Sequence, residues 1–173
     1  GLEKLRLSNW NVSKVTNMHR MFAEMNALTQ LRGLENWNTE SVTDIGGIFI
    51  NASKLTALDV SGWKTSKVTT MASSFSELNV TNLDLSQWDT SSVSNMMSTF
   101  SKSTKLKVSL TIGSALKNYT MYSNGAFTEA NSGLILYDDG TKESYDLVEE
   151  MVSYAKNDNV THGGVLKDGL TLL

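Results

Sequence analysis

Residues 83–100 read LDLSQWDTSSVSNMMSTF, and three near-copies precede them: LRLSNWNVSKVTNMHRMF at 5–22, GLENWNTESVTDIGGIF at 33–49 and LDVSGWKTSKVTTMASSF at 58–75. The copies align on Trp10, Trp37, Trp63 and Trp88, the only tryptophans in the chain. Five residues on stands Val15, Val42, Val68 or Val93; eight on, Met18, Ile45, Met71 or Met96; twelve on, Phe22, Phe49, Phe75 or Phe100. The tryptophans lie 27, 26 and 25 residues apart while the Trp-to-Phe spacing never changes, so length varies only between a Phe and the next Trp. That segment holds the tolerant loop.

Within it, Leu28, Leu55, Val80 and Leu106 precede an alternating pair such as Leu58 and Val60 or Leu83 and Leu85, the pattern of a short strand with one buried face. In the second copy the pair is Leu31 and Leu34, one residue longer, and Gly33 between them predicts a bulge. From Val to Phe the apolar steps of three and four, as in Val15, Met18, Met21 and Phe22, predict one face of a short helix. Thr39, Thr65 and Thr90 stand where its N-cap would be. A unit this small cannot bury its leucines, Trp, Val, Met and Phe alone, so equivalent residues are expected to stack in columns. The fold class predicted is an α/β repeat solenoid, leucine-rich-repeat-like, with a short strand and a short helix per repeat and a C-terminal α+β cap.

Four repeats occupy 1–106. Residues 107–133 read as a degenerate fifth, with Leu110 and Ile112 as its strand, Ala115 in place of Trp, Thr120 and Ser123 in place of Val and Met, and Phe127. The cap spans 134–173: a strand at Leu134–Tyr137, a hairpin at Asp139-Gly140, and a helix capped by Asp146 that carries Leu147, Val148, Met151, Val152 and Ala155. At the other end Leu5, Leu7 and Trp10 are expected to lie open unless another repeat precedes them, and the start at Gly1-Leu2-Glu3 suggests a piece of a longer polypeptide.

Of 173 residues, 40% are hydrophobic and 19% charged, and no apolar run is long enough for a membrane helix. A net charge of −3 with lysines and acids interspersed offers no basic stripe for nucleic acid. Without cysteine there is no disulfide, thiolate metal site or cysteine nucleophile, and without proline the turns rest on Gly, Asn, Asp, Ser and Thr.

The string at 83–100 and its copies resemble the BspA-like leucine-rich-repeat surface proteins of bacteria and mycoplasmas. The resemblance covers residues 1 to about 106. It implies export, an extracellular place on the bacterial cell surface, and attachment to a protein or glycan of a host or neighbouring cell. The family often has Cys after the helix Phe, where this chain has Ala23, Ile50, Ser76 and Ser101.

No residue set points to catalysis. His19 and His162 lie far apart without a metal-site motif; Asp138-Asp139-Gly140 lacks the further ligands of a calcium loop. Asp59 and Asp84 hold equivalent strand positions, but as a solvated pair they suit a sheet surface better than acid–base work. No catalytic residue, metal or cofactor is therefore assigned. The column Thr16, Thr43, Thr69 and Ser94 could order water, yet Thr after a turn has local reasons to occur. The expected ligand surface is the outward side of the strands: Arg6, Ser8, Arg32, Glu35, Asp59, Ser61, Asp84, Ser86 and Thr111, with a basic end at Arg6 and Arg32 and an acidic end at Asp59 and Asp84. The function expected is a cell-surface binding or adhesion module; the alternative is a passive spacer or accessory module in a larger surface protein.

Overall fold

The computed structural model describes residues 1–113, 134–154 and 160–162. Its elements are β1 (Lys4–Arg6), β2 (Gln30–Arg32), β3 (Asn82–Leu85), β4 (Lys107–Ile112), β5 (Leu134–Asp138), α1 (Lys142–Tyr154) and β6 (Val160–His162). β1 pairs with β2, and β3, β4, β5 and β6 form a second sheet; every pairing is parallel.

The helix expected in each repeat does not form, and the chain is not an alternating strand–helix solenoid: α1 is the one helix among the described residues, and the repeats are built of short strands, bridges and turns. The backbone donors explain why. An α-helix would send each N–H four residues back. Here the N–H groups of Met18, Arg20, Phe22 and Glu24 instead donate to the carbonyls of Asp44, Gly46, Ile48 and Ile50 in the next repeat, at 2.8–2.9 Å. Those of Met21 and Ala23 turn back three residues, to Met18 and Arg20. The second and third repeats do the same: Ile45, Gly47, Phe49 and Asn51 donate to Thr70, Ala72, Ser74 and Ser76, and Met71, Ser73, Phe75 and Glu77 to Asn95, Met97, Thr99 and Ser101. Successive tight turns of this kind require left-handed backbone at two places per repeat, filled by Arg20 and Glu24, Gly47 and Asn51, Ser73 and Glu77, and Ser98 and Lys102. Parallel bridges Asn17–Asp44–Thr70–Asn95 mark the start of this ladder.

The columns do form. Trp10, Trp37, Trp63 and Trp88 stack with centroids 6.1–6.4 Å apart and planes within 9°. Phe22, Phe49, Phe75 and Phe100 stack beside them at 5.5–6.0 Å. Each inner indole also donates to a carbonyl of the preceding repeat: Trp37 to Leu7 (3.3 Å), Trp63 to Leu34 (3.0 Å) and Trp88 to Val60 (2.9 Å). The polar handle of a buried Trp is thus satisfied by the stacking itself. Thr39, Thr65 and Thr90 cap no helix; buried, their hydroxyls donate forward to the carbonyls of Lys64, Asp89 and Thr111. At the first repeat Leu7 is buried and Leu5 half-buried, whereas Trp10 is 59% exposed.

After β4, the expected degenerate repeat runs into 114–133, and Ala115, Thr120, Ser123 and Phe127 lie outside the described residues, as does Ala155. The hairpin expected at Asp139-Gly140 is absent. Instead the chain enters α1, and β6 returns parallel to β5. Thr141, not Asp146, is the N-cap: its hydroxyl oxygen accepts from the N–H of Ser144 at 3.1 Å, three residues on. Asp146 sits inside the helix and pairs with Lys142. Leu147, Val148 and Met151 are buried, and the Ser144 hydroxyl donates to the carbonyl of Ile112, tying α1 to the end of β4.

Candidate ligand-binding cleft

The strand side of the stack is interrupted once. Residues 56–60 form no strand, so the β1–β2 pair and the sheet begun by β3 are separate. The break follows the extra residue of the second repeat. Gly33 has φ +94°, a Cβ there would lie 2.3 Å from the backbone nitrogen of Ser8, and its N–H donates to the Glu35 carboxylate at 2.9 Å. Only glycine fits such a place.

Between β2 and residues 56–59 opens a cleft of about 530 Å3. Arg6, Ser8, Arg32, Glu35 and Asp59 line it, all five expected from the repeat pattern. Thr29, Gln30 and Thr56 also line it; their positions carry no repeat signal beyond nearness to the extra residue. Arg6 and Arg32 are register partners on adjacent strands, both exposed, and strands lie about 4.8 Å apart. Two guanidinium groups therefore stand on one rung. Ion pairs among the described residues include His19–Asp44, Arg20–Glu24 and Lys142–Asp146, and neither cleft arginine has a carboxylate partner among the described residues. A smaller hollow of about 240 Å3 adjoins, adding Lys4 to the two arginines.

The other four expected residues lie elsewhere. Asp59 and Asp84 each close a local turn, accepting from the N–H and hydroxyl of Ser61 (3.2 and 2.8 Å) and of Ser86 (3.0 and 2.7 Å). The two bonds from Ser86 hold the Asp84 carboxyl below the usual aspartate range. Thr111 donates to the carbonyl of Ser86. Asp84 lines a separate, shallow hollow of about 180 Å3 with Lys107. The basic and acidic ends expected of the surface are thus not ends: Asp59 shares a cleft with the arginines.

The Thr column is spoken for. Thr43, Thr69 and Ser94 donate to the carbonyls of Thr16, Thr43 and Thr69, at 3.1, 3.2 and 3.3 Å. His19 faces Asp44 at 3.6 Å, and the side chain of His162 lies outside the described residues. Among the described residues no three His, Cys, Asp or Glu side chains gather as a metal site, and no helix is long and apolar enough to cross a membrane.

No curated protein and no solved structure matches the chain. A match does cover residues 2–114, the repeats and the cleft together. Over that span the chain belongs to the family described as Mycoplasma protein of unknown function, DUF285.

Proposed function

We propose that this chain is the binding segment of a BspA-like protein on the outside of a bacterial cell, and that it holds a protein or glycan ligand in the cleft between β2 and residues 56–59. The observation that carries the reading is convergence: Arg6, Ser8, Arg32, Glu35 and Asp59, outward residues of three different repeats, line one hollow. The side chains of three of them are left over by the fold, since Arg6, Ser8 and Arg32 have no side-chain hydrogen bond or ion pair among the described residues. Polar groups held on rigid, stacked backbone and left unpaired are what a binding surface needs. The role is binding without catalysis, and no cofactor enters it.

The test is a binding screen of the chain against extracellular-matrix proteins and glycans, repeated with Arg6, Arg32 and Asp59 replaced by alanine. A saturable ligand lost in that variant is expected. A second reading, a passive spacer, is favoured by the two aromatic columns and the inter-repeat ladder, which stiffen the stack. Absence of any saturable ligand, with cell attachment unimpaired by the same substitutions, would leave the spacer standing and remove the binding role.

A further inference from the structure

We infer that the ligand of this cleft is an acidic glycan, whose carboxylate or sulfate groups lie on Arg6 and Arg32 and whose hydroxyls donate to Asp59 and Glu35; this rests on the reading of the cleft as a binding site. The chain carries a net charge of −3, yet Lys4, Arg6 and Arg32 gather on the outward face of β1 and β2 with no carboxylate among the described residues paired to any of them. Like charges directly opposite on neighbouring strands repel. An anion laid across Arg6 and Arg32 removes that repulsion and gains charge-assisted bonds, in the forked geometry that guanidinium groups offer carboxylates and sulfates.

The same hollow carries carboxylates. Asp59 spends Oδ1 on Ser61 and keeps Oδ2, while Glu35 accepts from Gly33 through one oxygen and from Asn36 through the other at a long 3.4 Å. A carboxylate accepts from hydroxyls and repels anions. The occupant that satisfies both must present anionic groups to the arginines and neutral hydroxyl donors to the acids, as a uronic acid or sulfated sugar does. An acidic peptide fits less well. Peptide interfaces rest on apolar and aromatic anchors at their centre, and the leucines beneath this cleft, Leu31 and Leu58, are buried in the core.

The experiment titrates the whole chain with four probes: an oligogalacturonate, a heparin fragment, an uncharged oligosaccharide of equal length, and an oligoglutamate of matched charge. Saturable binding of an acidic oligosaccharide is expected, with the uncharged one silent; the first two probes tell carboxylate from sulfate. The double variant Arg6→Gln, Arg32→Gln should weaken binding at least about tenfold, the size of a lost charge-assisted bond. Its unfolding midpoint should not fall, because both side chains are exposed and unpaired. Asp59→Asn should weaken binding severalfold. The proposal is overturned if oligoglutamate binds as tightly, or if the double variant binds as the parent does. Should a protein or neutral glycan bind through Asp59 and Ser8 while the acidic sugars do not, the ligand class falls and the cleft stands. If neither probes nor matrix proteins saturate, both fall.

Discussion

An aspartate two residues before a serine can close its own turn, and Asp84 does so through one oxygen that takes both donors of Ser86. Those bonds favour the ionised form and lower the pKa of Asp84. Since the folded value lies below the unfolded one, the bonds stabilise the fold at and above the ordinary aspartate range, and that contribution vanishes as pH falls through the folded value. In a carboxyl-resolved NMR titration, Asp84 should titrate below an ordinary aspartate, and Ser86→Ala should raise its midpoint. An unmoved midpoint would refute the assignment. Gly47 poses the opposite case. It shares its left-handed place with Arg20, Ser73 and Ser98, so alanine can stand there, but at a strain of about 1 kcal/mol and with its Cβ 3.1 Å from Cγ of Arg20. Urea denaturation should show Gly47→Ala less stable by about that amount. Because three of the four equivalent residues are not glycine, their composition gives no sign of the left-handed turn, and a reading from sequence passes over it.

At the scale of the element, fixed Trp-to-Phe spacing was legible because stacking demands it: a residue out of step would leave its column. The helix was misread because apolar steps of three and four suit successive tight turns as well as a helical face. What separates the two is where each N–H goes, and here the acceptor lies about one repeat away, beyond the reach of a local pattern. One hint was present. Gly46-Gly47, Thr69-Thr70 and Ser73-Ser74 are weak helix formers. The Trp column carries its own test. Trp63→Phe keeps a ring in the stack but removes the indole bond to the carbonyl of Leu34, which then accepts only from the N–H of Trp37, and leaves a gap where the larger ring stood, at a joint cost of about 1–3 kcal/mol. Trp10→Phe, at the exposed end of the column, should cost about 0.5 kcal/mol or less. Equal losses in equilibrium unfolding would mean that the indole bonds do not contribute.

For the whole molecule, each repeat is held by its neighbours, and opening an inner one breaks two interfaces where opening the first breaks one. Hydrogen exchange should therefore protect the amides of Phe49 and Phe75 more strongly than that of Phe22, although all three make the same ladder bond. Uniform protection would indicate that the stack opens only as a unit. Alternation along the strands identified the five cleft residues by their outward direction, but not the cleft itself, since a gap between two sheets depends on where pairing between repeats stops, which the pattern within one repeat does not record. The ladder opposite that gap has a further consequence. In each of the first three repeats four N–H groups of the ladder point toward the following repeat, while Thr43, Thr69 and Ser94 each send one back, so the ladder's peptide dipoles cancel only in part. The ladder is therefore polar along its length, with its negative end toward the first repeat and its positive end toward the fourth.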